Sequence, residues 1–150
     1  MANTGVYPVY ENQFAVDTTG GDGKTEASMK TIADMESFSV SIDGNTEEWK
    51  PFDQHGWTRR LVTGKSITIS VSGKRNVGDE GNDYINSLAL ETGSKAHTTF
   101  KWNFPDGATL LIPCVISVTN WASGDSTAVA PIEFDVMSDG EPTYTPASAA

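Results

Sequence analysis

The stretch Ile67–Leu90, ITISVSGKRNVGDEGNDYINSLAL, points to the fold class because one periodicity runs straight into another. Ile67, Ile69 and Val71 alternate with Thr68, Ser70 and Ser72, the period-two pattern of a half-buried strand. Gly73 and Gly78 break that alternation. Asp79 or Asn82 then caps a short helix whose apolar stripe is Tyr84, Ile85, Leu88 and Ala89, ending before Gly93. The local expectation is a strand feeding one packed helix.

Outward from that stretch the periodicity is that of strands. Phe38, Val40 and Ile42 alternate with serines, and Phe100, Trp102 and Phe104 alternate with Thr99, Lys101 and Asn103. Leu110, Ile112, Cys114, Ile116 and Val118 share one face of a longer run, in which Pro113 marks a bulge or an edge position. Ile132, Phe134 and Val136 alternate with Glu133, Asp135 and Met137. Asp43-Gly44, Asp106-Gly107, Gly124-Asp125 and Asp139-Gly140 punctuate these runs as turns. Several short strands and one helix predict a mainly β protein, an antiparallel sandwich or barrel with one flanking α-helix.

Length and composition fit that architecture. A chain of 150 residues is expected to form a single domain. A chain of this size buries roughly 68–70% of its unfolded surface, so it needs no disulfide or metal to fold. Its one cysteine, Cys114, lies in LLIPCVISV and reads as a small buried apolar residue. The sequence has no apolar run of membrane-span length and no signal-peptide core, so a soluble protein made in a reducing compartment is expected. The net charge of −10 is uneven: residues 1–50 carry −6, residues 51–100 carry +1 and residues 101–150 carry −5. An acidic chain of this kind does not grip a nucleic-acid backbone, which takes clustered Lys and Arg.

Patterns for chemistry fail on spacing. Thr18–Thr25 ends in Gly-Lys-Thr, but Thr18 stands where a phosphate-binding loop requires glycine, and no helical pattern follows. Asp17 and Asp22 lack the spacing and the closing glutamate of a calcium loop. His55 and His97 have no zinc-ligand spacing around them. Asp79, Glu80 and Asp83 sit where a helix begins, and its dipole accounts for them. Catalytic, cofactor and metal residues are accordingly none, and the chain is not read as an enzyme.

Two segments do not read as core. Thr18–Lys30 is small, polar and Gly-rich, the composition of a mobile loop or arm. Asn45–Thr63, NTEEWKPFDQHGWTRRLVT, is expected to be a long loop with Trp49, Phe52 and Trp57 set among charges and interrupted by Pro51 and Gly56. Two readings are open for it. Its aromatics either fold back on the sheet as part of a long hairpin, or bury against another subunit while Arg59 and Arg60 pair with that subunit's carboxylates.

Three blocks in series carry a family resemblance. SGKRNVGDEGNDYINSLALETG (Ser72–Gly93), FKWNFPDGATL (Phe100–Leu110) and GDSTAVAPIEFDVMSDGEPTYTP (Gly124–Pro146) resemble the major tail tube protein of long-tailed, siphovirus-type bacteriophages. They cover a little over a third of the chain, all in its second half, while Met1–Thr63 matches only in general character. The resemblance implies a structural virion protein whose hexameric rings stack into the hollow tube through which DNA passes during ejection. It implies as partners other copies of the chain, a tape measure protein, a tail terminator and a tail initiator complex, with location in the virion tail after synthesis in the host cytoplasm. It also favours the second reading of the 45–63 segment, with Trp49, Pro51, Phe52, Trp57, Arg59 and Arg60 at a subunit interface. Charge and resemblance together make Glu133 and Asp135 candidate lumen-facing acids. Some relatives carry a further immunoglobulin-like domain; here residues 146–150 read as a flexible end, and no such domain is expected. A tail-completion or neck protein that forms a single ring is the alternative. A carbohydrate-binding sandwich would use Trp49, Trp57, Trp102 and Trp121 as exposed platforms, but Trp102 alternates with Phe100 and Phe104 as a core residue does.

Overall fold

The computed structural model of the chain describes residues 5–19 and 29–147. Among the described residues, eight strands and one α-helix follow in order: β1 (Gln13–Asp17), β2 (Met29–Thr31), β3 (Met35–Trp49), β4 (Arg59–Lys74), α1 (Glu80–Ser87), β5 (His97–Asn103), β6 (Thr109–Trp121), β7 (Pro131–Ser138) and β8 (Thr143–Thr145). All pairings are antiparallel, in one sheet of order β2-β1-β5-β6-β7-β4-β3, with β8 also paired to β6. The protein is mainly β with one flanking helix, as its periodicity predicts.

Hydrogen bonding does not close the sheet, yet its ends meet. Phe14 of β1 and Phe38 of β3 lie near opposite ends of the strand order, but their rings touch edge to face with centroids 4.8 Å apart. The sheet therefore curls around its own apolar face, through the twist inherent in paired strands. Val16, Ile69, Val71, Phe100, Ile112, Ile132, Phe134 and Val136 fill the interior, and Ile85 of α1 and Leu88, which caps its C-terminus, pack into the same cluster. Trp102 is only half-buried; its ring contacts Phe14 and Phe38, and its indole N–H donates to Asn12 Oδ1 at 2.8 Å. It is a packed residue, not a sugar platform. Cys114 is buried in this core, and burial pushes its thiol up to about 12, which leaves it inert.

Pro113 interrupts nothing. On one side it sits opposite Thr99 of β5. On the other it falls between the rungs that β6 makes with β8, ending at Leu111, and those it makes with β7, starting at Cys114. The missing N–H thus stands at a local edge, while the Pro113 carbonyl accepts the Asp139 N–H at 2.7 Å.

The segment between β4 and α1 is a dense junction. Asp79 caps α1, its Oδ2 accepting the Asn82 N–H at 3.0 Å and the Ala33 N–H at 3.1 Å. Asn82 is fully buried. Its Oδ1 accepts from Arg75 Nη1 (2.8 Å) and the Asn76 N–H (3.1 Å), and its Nδ2 donates to the carbonyls of Lys74 (3.0 Å) and Ala33 (3.3 Å). Gly81 lies so close to the Thr31 carbonyl that a Cβ would stand 2.5 Å from it, and a Cβ on Gly73 would overlap the Asp34 carbonyl. The block Ser72–Tyr84 thereby clamps the β2–β3 connection, and its unusual composition is spent on that clamp.

Candidate assembly surfaces

β3 and β4 are far longer than the body requires. β4 pairs with β7 only over Thr68–Lys74, whereas β3 and β4 pair with each other out to Trp49 and Arg59. Beyond the Ser41–Thr68 rung the two strands continue as a bare ribbon, Ile42–Trp49 against Arg59–Ile67, for about 25 Å at ~3.3 Å per residue. This ribbon, the arm, revises the long loop expected at 45–63. Only residues 50–58 connect the strands; 45–49 and 59–63 lie within them. These strand ends carry no period-two pattern, because alternation arises when one face is buried and here both faces meet solvent.

The aromatics of the arm do not fold back. Phe52 and Trp57 project fully or largely into solvent, and Trp49 is 43% exposed. Pro51 opens a 3-10 turn over Phe52–Gln54, His55 and Gly56 adopt positive φ (52° and 89°), and the Trp57 N–H closes the tip on the Gln54 carbonyl at 2.9 Å. Arg59 stacks over Trp49 at 5.8 Å, and Arg60 Nε donates to Glu48 Oε1 at 2.6 Å. The six residues picked from the sequence thus lie together at the arm's outer end, five of them placed by the tip connection or its first rung and Arg60 on the next. Ile42, Leu61 and Val62, which the sequence reading did not select, are exposed along the same arm. Their signal was present as β-branched and aliphatic residues within a charged stretch.

Glu133 and Asp135 lie on the face of β7 opposite the buried Ile132, Phe134 and Val136. Both are half-buried: Asp135 Oδ1 accepts from Ser70 Oγ at 2.8 Å and Glu133 Oε2 from Asn120 Nδ2 at 2.6 Å. The cross-strand register places Ser37, Ser39 and Ser41 of β3 and Thr68, Ser70 and Ser72 of β4 on the same face. Asp43, opposite Ser66, extends it onto the arm. Between Ser37 and Asp43, Ser66 and Ser72, and Glu133 and Met137 the face holds three carboxylates, hydroxyls and Met137; Lys74 follows Ser72 at one end. Counting alternate positions from Ser37 puts Asp43 on the serine face of β3, but only the register through β4 to β7 joins that face to Glu133 and Asp135.

The histidines lie on different elements: His55 at the arm tip and His97 at the start of β5, its Nδ1 3.0 Å from Asp139 Oδ2. Among the described residues no group of three His, Cys, Asp or Glu side chains is arranged to hold a metal. Much of the Gly-Lys-Thr stretch, with Asp22, falls outside the described residues; of the 18–30 segment, Met29 and Lys30 belong to β2.

Three solved structures share this architecture over nearly the whole chain. The tail of an empty gene transfer agent particle with C6 symmetry superposes with a TM-score of 0.74 at 20% identity, covering 94% of this chain and 100% of that one. The chain has a tail-tube fold. A subunit of the native gene transfer agent virion matches with a TM-score of 0.68 at 17% identity over 94% and 100% of the two chains. The tube-terminating cap of the anti-feeding prophage matches with 0.61 at 18% identity over 98% and 95%. No family model and no curated protein matches the sequence. The tail-tube fold is therefore visible in three-dimensional structure at identities where sequence comparison is silent.

Proposed function

We propose that the chain is a structural subunit of a phage-like tail, assembling as sixfold rings that stack into the hollow tube of a non-contractile, siphovirus-type virion. The observation that carries this reading is the arm. An isolated two-stranded ribbon is at best marginally stable in water, and this one exposes Ile42, Trp49, Phe52, Trp57, Leu61 and Val62. β3 is also an edge strand along its length, an aggregation hazard in a monomer and a joining surface in a ring. The tail-tube fold supports the choice of partner, another copy of the same chain.

In this reading Asp43, Glu133 and Asp135 line the lumen, where carboxylates repel phosphates and let DNA pass without binding. A tape measure protein within the tube, a terminator at one end and an initiator complex at the other complete the partners. No catalytic step is assigned to the chain.

A second reading, a single-ring completion protein, draws on the likeness to a tube-terminating cap. Growth separates them. Negative-stain electron microscopy of the purified protein at rising concentration is expected to show hollow filaments with a regular axial repeat. Rings that never lengthen would favour the cap reading, and monomers at every concentration would count against both.

A further inference from the structure

The arm sorts its charges by strand. From Ile42 to Trp49, β3 carries Asp43, Glu47 and Glu48 and no base; from Arg59 to Ile67, β4 carries Arg59, Arg60 and Lys65 and no acid. Internal pairing accounts for little of this. Glu48 and Arg60 form the one ion pair among the described arm residues. Asp43 faces Ser66, Glu47 faces Leu61 and Lys65 faces Gly44, so the register sets these charges against uncharged neighbours.

A second feature lies between them. Gly44 and Gly64 sit on adjacent rungs beside the register shift at Asn45/Thr46. Neither has a positive φ, and a Cβ built on either would come no closer than 3.7 Å to the rest of the chain. Neither the backbone nor internal packing requires glycine at these positions. Glycine within a strand often marks the close approach of another backbone.

We propose that the arm docks side by side with the arm of a second copy, the acidic β3 edge of one against the basic β4 edge of the next. The inference rests on the assembly reading above and names which surfaces meet. Strands joined at an edge lie about 4.8 Å apart, so side chains on one face reach across as cross-strand pairs. Meeting β3 to β3 would oppose carboxylates, and β4 to β4 would oppose cations. Only the β3-to-β4 contact is complementary. It is heterologous, so each copy offers one edge and accepts the other, which is the contact that propagates around a ring.

Two reversed variants test it. Asp43→Lys with Glu47→Lys makes both edges basic; Arg59→Glu with Lys65→Glu makes both acidic. Each alone is expected to raise the concentration needed for assembly by about tenfold or more. An equimolar mixture is expected to assemble as the unaltered protein does, because each variant supplies the edge the other lacks. Thermal unfolding of each free variant is expected to stay near that of the unaltered subunit, since exposed substitutions cost little. If a double reversal unfolds the subunit, Asp43→Lys and Lys65→Glu singly carry the same complementation. Assembly of either variant alone at the normal concentration would overturn the inference, as would a mixture that fails where the unaltered protein succeeds. Association of the mixture in sedimentation without any filaments would keep the arm contact and remove the tube reading. Monomers in every sample would remove both.

Discussion

The junction at Gly73–Asp83 and the arm at Ile42–Ile67 sit on the same pair of strands and behave in opposite ways. At the junction every polar group of the buried Asn82 side chain is satisfied within the subunit, and Gly73 and Gly81 are glycine because backbone presses on them. On the arm a Cβ on either glycine would meet only ordinary contacts at 3.7 Å or more, Asp43 and Glu47 face serine and leucine, and aliphatic side chains face water. Closed bonding holds one fold together; open bonding is what a subunit keeps for its neighbours. The block most distinctive in sequence is therefore the one that builds the body, while the surface proposed for assembly is written in ordinary residues.

The contrast can be broken at several points. Replacing residues 42–67 with a short turn is expected to abolish filaments outright while leaving a folded body. Electron microscopy and circular dichroism read the two effects, and loss of the folded signal would show that the arm belongs to the body after all. Asn82→Ala strikes the other region: four hydrogen bonds vanish and their partners stay buried, so destabilisation of about 3 kcal/mol or more is expected in chemical denaturation. A change below about 1 kcal/mol would mean that water replaces the amide.

Glycine substitutions give the finer comparison. Gly73→Ala or Gly81→Ala forces backbone apart and is expected to cost about 2 kcal/mol, within the range for overpacked sites. Gly44→Ala or Gly64→Ala is expected to leave the free subunit unchanged or more stable by about 0.5 kcal/mol, from the reduced freedom of the unfolded chain. Equal losses at all four positions would erase the distinction between the two regions.

The smallest effect concerns pH. Arg75 Nη2 lies 2.8 Å from Asp83 Oδ1, and its hydrogen bond holds the Asp83 carboxyl below its ordinary value. A depressed carboxyl contributes stability above the unfolded pKa, near 4, that is lost as pH falls through the folded value. Asp83→Asn is expected to narrow the stability gap between pH 5 and pH 3, read from melting curves at each pH. An unchanged gap would place the acid sensitivity elsewhere.

Much of the body was legible in the sequence for one reason: burial on a single face imposes period two on a strand and an apolar stripe on a helix. Ile67–Val71, Ile112–Ile116 and Ile132–Val136 show it, and capping chemistry narrows the helix start to Asp79 or Asn82, of which the fold uses Asp79 as the cap and buries Asn82. The arm was not legible because solvent on both faces removes the constraint that writes the pattern. Trp49, Phe52 and Trp57 could be singled out as odd, but their exposure depends on how far β3 and β4 run past β7. Glu133 and Asp135 alternate visibly, whereas the membership of Asp43 in the same face needs the register across three strands.

Residue order alone dictated the body strands β5 to β7, the start of β3, the end of β4, the buried thiol and the excess of acid. It also dictated the helix, with its cap narrowed to Asp79 or Asn82; β1, β2 and β8 carry no such pattern. Periodicity and capping act over a few neighbouring residues, so they are readable from the string. The curl that brings Phe14 against Phe38, the clamp around Asn82, and the sorting of acids onto one strand and bases onto its partner came from pairing of distant segments. Such pairing is governed by which strands share a rung, and no local run of residues contains that information.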